Sequence, residues 1–260
     1  MAAYSTVGGS MPGVFHRSLE RGQLNWLLRR LPPHRQSAVR RRLRRLVRPA
    51  LLGTLRWTAP VSRRFGYDRG TPVDRYYIDR FLDANRASIR GRVLEVKDSG
   101  YTDRFGTAVV DREVLDADAS NALATIVDDL ATCETIPDDS FDCFILTQTL
   151  NLISDVRAAA ANSHRILKPG GTLLATVPTL GMSFEKGPHL VEYWRFTPAS
   201  CELLFGEVFG PGSIEVRTYG SCLTSVALLV GMAYEELTTR QLERHDPSFA
   251  ALVSVRATKA

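Results

Sequence analysis

Three stretches of the chain carry side chains whose types and spacing suit chemistry. The first runs from Gly91 to Gly106, where Val93, Leu94 and Val96 enclose one acid, Glu95, and then break at Lys97-Asp98-Ser99-Gly100. An apolar strand ending in such a turn is where an α/β sheet meets a ligand. The second is a series of carboxylates: Asp111, Glu113, Asp116 and Asp118, then Asp128-Asp129-Leu130. A carboxylate about 20 residues past the glycine turn is where doubly wound domains grip ribose hydroxyls. Glu113, eighteen residues beyond Glu95, fits that spacing, and so does a plain solvent-facing acid. The third is residues 179–196, which hold Glu185, Lys186, His189, Glu192, Tyr193, Trp194 and Arg195. Histidine is the side chain suited to moving a proton near neutral pH, and its aromatic and cationic neighbours suit a pocket wall. A loop histidine without a role is the alternative.

The elements that must position these residues read as strand-and-crossover units. Pro72 suits the first turn of a helix through Val73, Tyr76, Tyr77, Phe81 and Leu82. A helix just before the first strand can fold over the ligand cleft, which makes Tyr76 and Tyr77 candidates for ligand contact. After the first strand, Thr107 to Asp111, or on to Leu115, reads as the second. The first crossover must therefore shrink to a turn or one helical turn, well short of the usual length. Ala124 to Val127 is a third strand, and Phe141 to Thr147 is a continuously apolar fourth, buried on both faces. A helix from about Ser154 to Leu167 ends at Lys168-Pro169-Gly170-Gly171, with glycine and proline forbidding continuation. Thr172 to Val177 is a fifth strand. Thr197-Pro198 caps and opens a further helix. Ile214 to Tyr219 is a sixth strand, Ser221 to about Leu237 a helix, and Ala251 to Arg256 a terminal strand closing an edge hairpin. The fold class is α/β, a doubly wound and mostly parallel sheet of seven strands.

Composition bounds what such a domain can be. With 44% apolar and 23% charged residues, the 260-residue chain can bury a substantial core. The net charge of +5 hides an asymmetry: residues 1–67 hold fourteen arginines and one acid, a net of +13, and the remainder carries −8. The division is a basic helical arm over 1–59 and an α/β domain over 60–260. Within the arm, Ala38, Leu43, Leu46 and Val47 recur among arginines at helical spacing. Three roles are open to it: packing on the domain's acidic surface, lying on anionic lipid, or touching nucleic acid or an acidic partner. Trp26 and Trp57 are too few and too far apart for a base-stacking platform. Cys133, Cys143, Cys201 and Cys222 show no C-x-x-C pairing, so they read as buried free thiols rather than a zinc site or disulfides. No N-terminal stretch has the order of a signal peptide, no apolar run approaches the ~20 residues of a membrane span, and a cytoplasmic location is expected.

Residues 91–178 resemble the class I S-adenosylmethionine-dependent methyltransferases. The motifs that carry the resemblance are V-L-E-V at 93–96, I-P-D-D-S-F-D-C at 136–143 and R-I-L-K-P-G-G-T-L-L-A-T-V-P at 165–178. W-R-F-T-P at 194–198 resembles a bacterial subgroup found beside polysaccharide and glycosyltransferase genes. The resemblance implies a Rossmann-like methyltransferase fold and S-adenosylmethionine as cofactor. It assigns Glu95, Lys97 and Gly100 to the cofactor turn, Glu113 to the ribose, and Asp129 with Leu130 to the adenine. Thr147 and Gln148 then stand where the fourth strand opens onto the transferred methyl. The acceptor is a small molecule or a sugar, with oxygen the favoured atom, His189 the general base and Tyr193, Trp194 and Arg195 the pocket walls. His164 reads as packing. The family pattern, roughly E-x-G-x-G-x-G, is departed from at Lys97, which occupies the first glycine position. If that position needs a positive φ, lysine costs on the order of 1 kcal/mol there. A repurposed, non-catalytic member of the fold is the rival reading. A nucleic-acid methyltransferase is disfavoured, because Thr147-Gln148-Thr149-Leu150 stands where an N-P-P-Y-type motif would be. No metal-ligand spacing is present.

Overall fold

The computed structural model describes Pro32, Gly53 and residues 58–183 and 191–260. The arginine-rich arm lies outside the described residues, as do Glu185, Lys186 and His189. Residues from Trp57 onward form one compact unit.

The unit is built on a seven-stranded sheet in the order β3-β2-β1-β4-β5-β7-β6. The strands are β1 (Arg90–Val96), β2 (Ala108–Asp116), β3 (Ile126–Val127), β4 (Phe141–Thr147), β5 (Leu167–Pro178), β6 (Ile214–Tyr219) and β7 (Leu252–Thr258). β7 runs antiparallel to β5 and β6, and the other neighbours pair in parallel. The helices are α1 (Val73–Ala84), α2 (Gly100–Phe105), α3 (Val156–Arg165), α4 (Pro198–Phe209), α5 (Cys222–Val230) and α6 (Thr239–Leu242).

Alternation along the central strands fills both faces, as a parallel sheet covered on each side requires. Leu94, Phe144, Leu146 and Leu173 pack with Ala159, Leu204 and Phe205 of α3 and α4. Val93, Cys143, Ile145 and Leu174 pack with Ile78, Leu82 and Ala227 of α1 and α5. Glu95 is on this second face, between Val93 and α2.

The bounds of β4 and β6 are those the sequence predicts. The first crossover is indeed one short helix, α2, of six residues. Thr197 caps α4 and accepts from Ser200 N, with Pro198 at its first position. Three expectations need correction. The third strand is reduced to Ile126–Val127 at the sheet edge. Lys168-Pro169-Gly170-Gly171 does not stop α3, which is already closed at Ile166; the four residues belong to β5. There Gly170 N donates to Lys259 O at 2.8 Å and Lys259 N to Gly171 O at 3.0 Å, so the segment ties β5 to the end of the chain. The helix after Ser221 ends at Gly231 instead of Leu237, because Gly231 adopts φ +78 and a Cβ there would meet Ser62 O at 2.6 Å. The terminal strand closes an edge hairpin as expected: β7 pairs antiparallel with the edge strand β6 and lies between it and β5.

Three cysteines are buried and Cys222 is exposed, which the sequence reading did not anticipate; all four are free thiols. Burial pushes the Cys201 thiol up to about 12. Among the described residues no helix is long and apolar enough to cross a membrane.

Candidate active site

The parallel strands end together, and the candidate residues gather at the C-terminal ends of β1, β2 and β4. Glu95 is 2% exposed, and its carboxylate is spent inside the fold. It accepts from Tyr101 N at 3.0 Å and from Thr102 N and Thr102 Oγ1 at 2.7 Å each, satisfying donors at the start of α2 that have no helical partner. Burial nonetheless outweighs these bonds and pushes its pKa up to about 7. Glu95 thus shapes the turn from within. At the turn, Lys97 adopts φ +80, the left-handed conformation that the glycine pattern requires. Its side chain is exposed, its N–H donates to Leu115 O at 3.0 Å and its carbonyl accepts from Asn121 Nδ2 at 2.8 Å. Gly100 N donates to Asp98 Oδ1 at 2.8 Å.

Asn121 also reaches the acid that closes β2, donating to Asp116 Oδ2 at 2.7 Å. Asp116, three residues past the pairing of Leu94 with Glu113 and one past that of Val96 with Leu115, is therefore the β2 carboxylate beside the turn. Glu113 stands back in mid-strand, where Arg92 Nη2 donates to it at 2.9 Å. Hydrogen bonding from Thr125 and the nearby Arg92 hold its carboxyl below the usual range. Spacing alone favoured Glu113 because the strand was read as short, whereas β2 runs on to Asp116. After β3, Asp129 is exposed and uses one oxygen on Ala131 N at 2.9 Å. Leu130 turns its side chain into the core and its carbonyl accepts from Asn162 Nδ2 at 2.9 Å.

At the end of β4, Gln148 has φ +50 and donates its N–H to Thr176 O at 2.8 Å. Its Nε2 is buried with no partner among the described residues, and so is Asn151 Oδ1. Asn151 carries the loop that follows β5. Its carbonyl accepts from Tyr193 N at 2.8 Å and Trp194 N at 3.3 Å, and its Nδ2 donates to Glu192 Oε1 at 2.7 Å. Arg195 grips both oxygens of Glu192, at 2.6 and 2.7 Å, and the Glu192 side chain is only 6% exposed. Trp194 Nε1 donates to Ile153 O at 2.9 Å while the rings of Tyr193 and Trp194 stay exposed. Thr147, Gln148, Tyr193, Trp194 and Arg195 are thus brought together, with Asn151 and Glu192 as the residues that join them. Asn151 was missed because nothing in its sequence context marks an asparagine as a joint between two loops.

Tyr76 and Tyr77 go elsewhere. Tyr77 is 3% exposed and donates its hydroxyl to Leu242 O at 2.9 Å, and both rings line a separate cavity beside β6. The α1 residue that approaches the cofactor turn is Arg75, held by Tyr67 Oη at 3.1 Å and Tyr101 Oη at 3.3 Å. His164 meets Phe209 edge to face at 4.9 Å, a packing role as expected, and burial lowers its pKa. Among the described residues no group of histidine, cysteine and acidic side chains is placed to hold a metal.

The seven-stranded sheet with helices on both faces is a Rossmann-like fold of the kind found in S-adenosylmethionine-dependent methyltransferases. Residues 102–175 match the family described as a methyltransferase domain. Similar solved structures include an S-adenosylmethionine-dependent methyltransferase from Mesorhizobium loti, 16% identical with a TM-score of 0.47, covering 68% of this chain and 95% of that one. Another, from Archaeoglobus fulgidus, is 11% identical with a TM-score of 0.46 and covers 71% of this chain and 94% of that one. No curated protein matches the chain. S-adenosylmethionine is the cofactor the matched domain implies. The residues fit it: a left-handed turn at Lys97, a carboxylate at the end of β2, and an unpartnered buried amide at the end of β4.

Proposed function

We propose that the chain transfers the methyl group of S-adenosylmethionine to a hydroxyl of a small molecule or sugar. The observation that carries this reading is the junction at the end of β4, where Gln148 and Asn151 hold unmet polar atoms beneath the Trp194 loop. Unpartnered buried amides are costly, on the order of 1–3 kcal/mol each, so their retention is supported by a ligand that meets them. An amide N–H and an amide oxygen together suit a group that both accepts and donates, as a hydroxyl does.

When bound, the cofactor supplies an electrophilic methyl on sulfur. The chain's own work is to align the acceptor with it and keep water out. In this reading Asp116 takes the ribose hydroxyls in place of Glu113, and Asp129 takes the adenine amino group. The turn from Lys97 to Gly100 offers backbone to the methionine moiety. Tyr193 and Trp194 wall the acceptor, and Arg195 acts through Glu192 to hold that wall. His189 is the proposed base that receives the hydroxyl proton.

Lys97 speaks against the rival reading of a disabled loop. It already adopts the backbone the turn needs, with its side chain in solvent, so it does not block the site. Calorimetry of the full chain with S-adenosylmethionine and S-adenosylhomocysteine is the test. Saturable binding of both is expected, and no binding of either overturns the proposal. The W-R-F-T-P segment favours acceptors of the polysaccharide type, which a panel of sugar acceptors with radiolabelled methyl donor would reveal.

A further inference from the structure

A second cavity lies on the α1 face of the sheet, beside the last turn of β6. Its volume is about 630 Å³, inside the range of ~300–1,000 Å³ typical of small-molecule sites. In sheet order β6 stands three strands from β4, which at ~4.8 Å per strand is ~14 Å, so its occupant does not share the position at the end of β4.

One wall is aromatic. Tyr76 and Tyr77 meet edge to face with centroids 5.4 Å apart, and Tyr77 lies 5.9 Å from Tyr219. The lining is also basic, with Arg80, Arg217 and Arg244 against a single acid, Glu243. Arg80 is paired with Glu243 at 3.2 Å, and Arg217 is paired with Glu215. Arg244 has no acidic partner among the described residues. A bare anion would leave the rings unmet, and a neutral ring would leave Arg244 unmet. Rings of this kind stack on planar ligands, and a guanidinium grips carboxylate or phosphate through paired N–H groups.

We propose that this cavity binds an aryl anion, a planar ring bearing one carboxylate or phosphate, as a ligand distinct from the cofactor and the methyl acceptor. Phenyl phosphate is the probe, titrated into the full chain by calorimetry with S-adenosylhomocysteine present at saturation. The expected result is one saturable site, with inorganic phosphate and phenol each binding at least tenfold more weakly. Arg244→Glu should weaken phenyl phosphate at least tenfold and Arg244→Lys, which keeps the charge but loses the paired N–H groups, by a smaller factor of about three to ten, both keeping their affinity for S-adenosylhomocysteine. No saturable binding, equal binding of inorganic phosphate, or an unaffected Arg244→Glu variant would overturn the proposal. If Arg244→Glu also loses S-adenosylhomocysteine, its fold is damaged and Tyr76→Leu decides instead. Undiminished phenyl phosphate binding by Tyr76→Leu then counts against the cavity.

Discussion

Asp116 and Glu113 differ by three positions, and strand geometry separates their roles. Asp116 closes β2 beside the Lys97 turn, while Glu113 is tied to Arg92 in mid-strand. Asp116→Ala should weaken S-adenosylmethionine binding about tenfold or more, the ~1.5–3 kcal/mol of hydrogen bonds to a charged group. Glu113→Gln should leave that affinity within about twofold; the reverse order would return the ribose role to Glu113. Lys97→Gly removes a left-handed lysine at φ +80 but frees the unfolded chain. These effects oppose each other, so stability should change by less than about 1 kcal/mol and cofactor affinity by less than about threefold. A tenfold loss would mean that the lysine itself touches the ligand. Glu95 supplies a pH signature, since its folded pKa of about 7 lies above the ordinary 4.5. A carboxyl raised in this way favours the fold when protonated, so its contribution is present below pH 4.5 and is lost as pH rises through 7. The linked loss is about 3 kcal/mol. Urea denaturation of the wild type and Glu95→Gln at pH 5 and pH 8 reads it out. The stability advantage of the wild type over the variant should shrink by about that amount at the higher pH.

At the scale of elements, the loop after β5 should act as one piece, because Glu192 couples Arg195 to Asn151 and so to the end of β4. Glu192→Ala leaves the half-buried Arg195 guanidinium and the buried Asn151 amide without their carboxylate. Hydrogen exchange should rise across residues 191–197, and methyl-transfer turnover should fall at least tenfold while S-adenosylmethionine affinity stays within about threefold. Protection unchanged in that loop would show that the ion pair does not hold it. The same loop shows where the sequence was legible. Strands β4 and β6 were readable to the residue because the apolar run of one and the alternation of the other end at turn residues on both sides. Tyr193, Trp194 and Arg195 stood out by type, yet the joint that places them, Asn151 to Glu192, spans 41 positions and leaves no local pattern. Local rules also failed where a glycine had two uses. Gly170 and Gly171 read as a helix stop, but they serve a pairing with Lys259 that only the folded sheet creates. Gly231 was passed over because its constraint is Ser62, far away in sequence.

For the whole molecule, the decisive feature is that charge is divided along the chain, +13 over residues 1–67 and −8 over the rest. If the arginines served only to neutralise the chain's own acids, the surplus would present little to an outside anion. Many of the described acids are committed already: Asp79 to Arg104, Asp103 to Arg112, Glu207 to Arg157 and Glu236 to Arg69 are all paired within the α/β unit. Those pairs leave fewer free carboxylates for the arm, which favours an external acidic surface. Full-length chain should therefore sediment with vesicles containing anionic lipid at low salt. Release is expected as ionic strength approaches ~0.5 M, where the screening length falls well below the ~8 Å of physiological salt. A chain lacking residues 1–57 should stay in the supernatant and still bind S-adenosylmethionine. Sedimentation that persists without those residues would place the anion-binding surface on the α/β unit. Loss of cofactor binding on their removal would instead make the arm part of the catalytic fold.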